Sequence, residues 1–294
     1  VGSEICIRDS SYGFPYKEAP KTYIRKLTLA PSVEAFQLLR KGDSITLTWE
    51  LSEIDAADFS ECVQRTWEYC YDTNRPQPVN TPYTVDRMKD VLSNFFVESY
   101  VNTTPTHYYS GVELKTATCD NTDVAEVGFV GRTLLNAFNA LEYGSQQNRP
   151  ELVNSANSIF DTYLTNGFSP AGFFNEVVHY NRDFKEANLS IRRQSEGVYA
   201  ILNYLDYEKQ HKRKHPEWEK RLKVILDSFL RLQNADGSFP RKFKDDFSIV
   251  DGTGGSTPSA TLPLVMAYKY FKDKRYLESA KRTVNYLELS LIHI

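Results

Sequence analysis

The densest chemistry in the chain opens one apolar stretch: Arg192-Arg193-Gln194-Ser195-Glu196. Guanidinium groups and a carboxylate are costly to bury unpaired. The cluster therefore reads as pocket lining, with a surface ion-pair cluster as the competing reading. A second carboxylate, Asp251, sits in Val250-Asp251-Gly252-Thr253-Gly254-Gly255-Ser256, a glycine-rich loop able to approach a ligand. Asp123 and Glu126 precede another apolar stretch, Glu126 one turn inward on the same face. Asp123 also suits a plain helix cap. Cleavage of a glycosidic bond needs two flanking carboxyl groups, one protonated and one ionised. Glu196, Asp251 and then Asp123 are the candidate catalytic residues.

Elimination next to a carboxylate needs a different set. A Tyr or His takes the proton while Asn or Arg neutralises the charge. Asn175, His179, Tyr180, Arg182 and Arg193 could supply it. The competing reading of His179-Tyr180 is a loop pair packed on a rim. Arg192 and Arg193 would bind an acidic ligand under either chemistry. His211 and His215 are four apart, but no Glu stands between them in the His-Glu-x-x-His sense, and lysines and an arginine separate them. A solvated basic turn is expected there and no metal site. The Gly252–Gly255 run lacks the Lys-Ser/Thr ending of a phosphate loop. With no dinucleotide fingerprint and no nucleophile elbow, no cofactor is expected.

These residues must be positioned by helices. From Asp55 onward the apolar period is helical, and eight helices are expected: 56–71, 84–101, 123–143, 149–165, 191–210, 216–233, 257–271 and 274–289. Thr84, Asp123 and Ser190 suit caps, Pro150, Pro216 and Pro258 suit first turns, and Gly144 suits a C-terminal stop. Before them, 23–29 and 44–51 alternate with period two and read as strands. The later helices repeat. Val130, Gln194 and Pro258 lie 64 apart, as do Leu134, Val198 and Leu262, and Phe138, Leu202 and Met266. Each outer helix runs into a similar turn, Asn166-Gly167-Phe168-Ser169-Pro170 and Asp236-Gly237-Ser238-Phe239-Pro240. A helix-pair repeat of this length implies a solenoid or closed toroid.

Connections within pairs are short, whereas 102–122, 166–190 and 234–256 are long and should share one rim. Long connections in compact domains are usually functional. The first carries His107, Tyr108 and Tyr109, the second Phe168, Phe173, Phe174, Glu176, His179 and Tyr180, the third Phe239, Arg241, Asp245 and Asp251. Aromatic faces interleaved with carboxylates and guanidinium groups suit sugar rings. Arg192, Arg193, His179, Tyr180, Glu126, His107, Tyr108, Phe174 and Phe239 are thus candidate substrate-binding residues. About half of the rim aromatics should do no more than seal the core.

Composition narrows the partners. The 294 residues carry 35 Lys+Arg against 38 Asp+Glu, a formal charge of −3, with no basic tail. Nucleic acid is therefore not the expected main partner. No apolar run is long enough to span a bilayer. Nineteen Tyr, 17 Phe and 3 Trp make an aromatic share of 13%. Cys6, Cys62, Cys70 and Cys119 form no framework and read as free thiols. The chain begins at Val1, and residues 4–10 and 289–294 stand outside the pattern, so it reads as an internal fragment.

Over residues 55–289 the chain resembles the six-hairpin glycosidase superfamily of (α/α) toroids. The likeness rests on the helix-pair repeat, the preceding β-segment, Leu232-Gln233-Asn234-Ala235-Asp236-Gly237-Ser238-Phe239, and Tyr268-Lys269-Tyr270-Phe271-Lys272-Asp273-Lys274-Arg275-Tyr276-Leu277. The Asp-Gly turn also occurs in terpene-cyclase-like toroids. The resemblance implies a mainly α fold, an (α/α) toroid of helical hairpins. Residues 1–54 would be the C-terminal part of a β-sandwich-like domain and 55–294 a truncated toroid domain. A full ring has six pairs, and four are visible. The resemblance further implies a pocket at the N-terminal ends of the inner helices. It implies a secreted or periplasmic bacterial protein with a carbohydrate substrate. The expected activity is glycoside hydrolysis of a poly- or oligosaccharide, uronate-containing ones included. A polysaccharide lyase and a non-catalytic carbohydrate- or partner-binding toroid are the alternatives. The sequence leaves the oligomeric state open.

Overall fold

The computed structural model describes residues 16–18, 21–22, 28–30, 33–36, 38–46, 48, 53–78, 80–110, 124–128, 132–179 and 187–291. The chain divides into two compact units, Val1–Val79 and Asn80–Ile294. In the first, β1 (Tyr16–Glu18) pairs antiparallel with β4 (Val33–Ala35), and β2 (Lys21–Thr22) with β3 (Thr28–Ala30). The described residues of the expected strand 44–51 (44–46 and 48) are irregular. Helix α1 (Phe59–Asn74) starts at Asp58, whose side chain accepts from the Glu61 N–H. Helix α1 lies in the first unit. Cys62 and Cys70, both on α1, are free thiols. Cys6 and Cys119 lie outside the described residues.

The second unit is a run of helical hairpins. It opens with α2 (Val85–Glu98), capped by Thr84 as expected. The strands β5 (Tyr100–Val101) and β6 (Tyr108–Tyr109) form a short pair. Strand β7 (Val124–Glu126) leads to the hairpin α3 (Thr133–Gln146) and α4 (Pro150–Asn166). Strands β8 (Val177–His179) and β9 (Leu189–Ser190) then lead to α5 (Ile191–Gln210) and α6 (Pro216–Leu232). Strands β10 (Lys242–Phe243) and β11 (Ile249–Asp251) lead to α7 (Pro258–Phe271) and α8 (Lys274–Leu291). Helix α5 packs between α3 and α7, which makes these three the inner layer. Its apolar stripe, Val198, Ile201, Leu202 and Leu205, is fully buried. Each such side chain contributes about 1.5–3 kcal/mol of burial free energy. The outer helices follow the same rule from the other side: Leu152, Ile159 and Phe160 of α4 and Leu222, Ile225 and Phe229 of α6 face inward.

Two local expectations change. Residues 124–126 form a strand and not the start of a helix, because β8 offers β7 an antiparallel partner, Ala125 opposite Val178. Gly144 lies inside α3 and ends nothing. It is buried, and a Cβ there would stand 2.8 Å from the Cβ of Leu152, so it permits the close α3–α4 approach. The proline expectations hold: Pro150, Pro216 and Pro258 each occupy a first helical turn.

The long connections join one another on one rim. Strand β7 of the first pairs with β8 of the second, and β9 of the second pairs with β10 of the third. Asp245 of the third accepts from Ser169 Oγ and from the Ala171 N–H at 3.0 Å in the second.

The turns after the outer helices repeat in a register different from the expected one. The Ser169 N–H donates to Phe173 C=O and the Gly172 N–H to Ser169 C=O; the Asn234 N–H donates to Ser238 C=O and the Gly237 N–H to Asn234 C=O. Gly172 and Gly237 have φ of 90° and 93°, a region that suits glycine. Each packs back on the next outer helix. A Cβ on Gly172 would meet Val224 of α6, and one on Gly237 would meet the Arg282 backbone of α8 at 2.2 Å. Gly172, and not Gly167, is therefore the equivalent of Gly237, and Phe174 of Phe239.

Candidate functional site

A cavity of about 370 Å³ opens where the first turns of α3, α5 and α7 meet. Arg132, Leu135, Glu196, Tyr199, Leu262 and Pro263 are among its walls. Glu196 projects from the first turns of α5 with its side chain 22% exposed. Its Oε1 accepts from Arg192 Nε at 3.0 Å, one helical turn earlier. Arg132 Nε lies 3.8 Å from its Oε2. Arg132 is in the left-handed region (φ 40°) at the N-cap of α3, which swings it toward α5. Gly128 lets the chain pass close by: a Cβ there would stand 2.9 Å from Glu196 Oε2 and 3.0 Å from Arg193 Cα. The polar opening of α5 thus lines a pocket, with Arg192 and Arg132 clamping the carboxylate.

Beneath this opening a second carboxylate is wholly buried. Glu176 accepts from the Ser190 N–H, from Gln194 Nε2 at 3.2 Å, and faces Arg193 Nη1 at 3.6 Å. Gln194 also exchanges two hydrogen bonds with the Phe174 backbone. Glu176 and Gln194 therefore hold the start of α5 against the rim. Arg193 faces this network and Arg192 faces Glu196.

The other expected residues lie elsewhere. Asp251, on β11, accepts from the Thr253 hydroxyl at 2.5 Å and N–H at 3.0 Å, and pairs with Arg241 at 3.3 Å. These bonds, the Thr253 hydroxyl foremost, hold its carboxyl below the usual carboxylate range. A carboxylate kept ionised in this way suits a base or nucleophile and not a proton donor. Asp251 is not among the cavity walls, so the structure does not bring it together with Glu196 there. Asp123 and Tyr180 lie outside the described residues. His179 ends β8 opposite Val124, and Glu126 lies opposite Val177 at the other end of the same pair. Glu126 Oε2 is buried with no hydrogen-bond partner among the described residues.

Four of the expected ligand contacts are engaged in the fold. Phe174 and Phe239 are completely buried. They are repeat-equivalent plugs: the Phe174 N–H donates to Gln194 Oε1, and the Phe239 N–H to Thr257 Oγ1, at the start of the next inner helix. Tyr108 is likewise buried. His107 ties the β5–β6 segment to outer helix α4. Its Nδ1 lies 2.7 Å from Ser158 Oγ and 2.9 Å from Tyr100 Oη, and its N–H donates to Thr162 Oγ1. Burial lowers the His107 pKa, as expected for an imidazole removed from water.

The 211–215 turn is also more than solvated. Glu208, buried near the end of α5, receives Arg213 Nε at 2.7 Å and a second bond from Arg213 Nη2. His215 Nε2 lies 2.7 Å from Oε2, the oxygen that also accepts from Arg213 Nε, and Tyr204 Oη lies 3.1 Å from the same imidazole nitrogen. Burial alone would raise the Glu208 pKa, but the bonds from Arg213 and His215 bring it below the ordinary value.

Sequence reasoning missed Arg132, Tyr199 and Pro263 as walls. The signal was present in the 64-residue spacing. Arg132 and Glu196 are 64 apart, and so are Leu135, Tyr199 and Pro263.

No family model matches the sequence, and no curated protein matches it closely. Solved structures do. A possible member of the GH105 family from Salmonella enterica serovar Paratyphi A is 15% identical with a TM-score of 0.56, over 75% of this chain and 56% of that one. A D-mannose isomerase is 12% identical with a TM-score of 0.52, over 71% and 52%. A GH76 α-mannanase from Bacteroides thetaiotaomicron is 10% identical with a TM-score of 0.50, over 70% and 55%. The chain spans about half the length of these structures. No helix among the described residues is long and apolar enough to cross a membrane. The architecture is the (α/α) toroid fold that these structures share.

Proposed function

We propose that this protein is a carbohydrate-active enzyme that hydrolyses a glycosidic bond in a poly- or oligosaccharide, uronate-containing ones included. The observation that carries this reading is Glu196, a carboxylate set between two guanidinium groups in the cavity at the first turns of the inner helices. Proteins of the same fold include a GH76 α-mannanase and a possible GH105 member, which supports a carbohydrate substrate. Tyr199, Leu262, Pro258 and Pro263 offer the apolar side that a sugar ring needs, and Glu196 the polar one. Glu196 is the proposed catalytic carboxylate. Asp251 and Asp123 are the proposed partners, with Asp251 in the ionised role because its bonds keep it so. Substrate binding falls to Arg192, with Arg193, His179, Tyr180 and Glu126 as further candidates. Secretion or a periplasmic setting accords with this reading.

Arg132 and Arg192 also favour an acidic sugar, which keeps uronate elimination as the second reading. Arg193, which that chemistry would employ, faces Glu176. A panel of neutral and acidic polysaccharides and oligosaccharides tests both. New reducing ends without ultraviolet absorbance of unsaturated uronates support hydrolysis. Both signals together move the chemistry to His179, Tyr180 and Arg193. Neither signal on any sugar ends the enzyme reading and leaves a binding protein.

A further inference from the structure

The cavity holds polar groups that the described residues leave without partners. Ser195 is 1% exposed, lines the cavity, and its hydroxyl has no hydrogen-bond partner among the described residues. A helical serine ordinarily avoids this by bonding back to an earlier carbonyl. Ser93, Ser155 and Ser228 all do so, to Lys89, Leu152 and Val224. Ser195 does not. Buried polar groups are nearly always paired, and an exception calls for a reason.

The facing helix has a matching irregularity. Pro263 lies inside α7 and has no N–H to give. The carbonyl of Ser259, four residues earlier, therefore lacks its helical donor. Ser259 and Pro263 both line the same cavity. The Ser259 hydroxyl is already engaged with Ser256 C=O at 2.6 Å. Between them in sequence, Thr261 Oγ1 is a second buried hydroxyl without a partner among the described residues.

We infer that Ser195 and the Ser259 carbonyl form a site that reads a hydroxyl of the sugar, with Ser195 as the residue that sets specificity. This rests on the carbohydrate reading of the cavity. A carbonyl only accepts, and a serine hydroxyl both donates and accepts. A ligand hydroxyl can donate to the one and pair with the other. A carboxylate only accepts, so it would leave the Ser259 carbonyl unsatisfied. The acidic part of any ligand therefore belongs at Arg132 and Arg192, and a neutral polyol edge at Ser195.

The test uses the whole protein, with D-mannose, D-glucose and D-glucuronate as probes. Melting temperature and calorimetric Kd are measured for wild type and for Ser195→Ala. In the free protein, S195A is expected to melt at the same temperature or higher, because it deletes an unpaired buried hydroxyl. The Kd for the best-bound sugar is expected to weaken about three- to tenfold, the loss of one hydrogen bond. A lower melting temperature with an unchanged Kd overturns the inference, since the hydroxyl would then serve the fold or a structural water. Should S195A fail to fold, Ser195→Cys keeps the volume and weakens the donor, and the same loss of affinity is expected. If none of the three sugars binds wild type, the carbohydrate reading itself fails and this inference with it. If they bind and neither variant changes Kd, only the hydroxyl site fails.

Discussion

Glu196 carries the chemistry proposed for this chain, and its neighbours fix what a variant should do. Glu196→Gln keeps the hydrogen-bonding shape toward Arg192 but removes the charge. Turnover on the responsive substrate is expected to fall about 10²–10⁴-fold, the usual worth of acid/base participation, with KM changed far less. Steady-state kinetics would check this, and a raised KM with unchanged kcat would reassign Glu196 to binding. At the far end of α5, Glu208 makes a prediction about stability. Its folded pKa is depressed, so its contribution is present above the ordinary carboxylate value and is lost as pH falls through the depressed one. Glu208→Gln should cost about 1–3 kcal/mol near neutrality, since Arg213 is half exposed and only part of the buried-pair penalty applies. The gap should close below the depressed pKa, as urea unfolding at a series of pH values would show. The Arg192–Glu196 cluster was legible in the sequence because charge at the head of an apolar helix is itself informative. Phe174 and Phe239 were not, because an aromatic in a rim loop looks the same whether it faces a ligand or plugs the core.

At the scale of elements, the repeat was more legible than any single site. Helices α4 to α7 end within about one residue of the boundaries that apolar period, proline and caps suggest. The start of α3 was not legible, because β7 is a strand only by virtue of β8, some 50 residues away. The turn register was misread by pairing Gly167 with Gly237. Aligning Ser169-Pro170-Ala171-Gly172-Phe173-Phe174 with Asn234-Ala235-Asp236-Gly237-Ser238-Phe239 restores it, and with it the structural role of both final phenylalanines. Gly237→Ala tests that register. The left-handed backbone costs a non-glycine residue about 1–3 kcal/mol, and the Arg282 carbonyl adds a clash. The denaturation midpoint should fall accordingly, while Gly167→Ala should leave the φ-dependent part of that cost absent, because φ there is −93°.

For the whole molecule, three hairpins and α2 of the second unit are enough to build a cavity, though the chain spans about half of the similar structures. The site needs only α3, α5 and α7 and the rim strands that tie their leading ends together. That meeting of three leading ends has an electrostatic consequence. Each helix presents roughly half a positive charge at its N-terminus, and Arg132 and Arg192 outnumber Glu196 beside them. The cavity mouth should therefore act as a weak anion funnel on a protein whose formal charge is −3. The screening length shrinks from about 30 Å at 0.01 M salt to about 10 Å at 0.1 M. Association with an anionic oligosaccharide should slow measurably over that range, while a neutral one of equal length should arrive at the same rate in both, so stopped-flow binding would expose the long-range pull that the overall charge conceals.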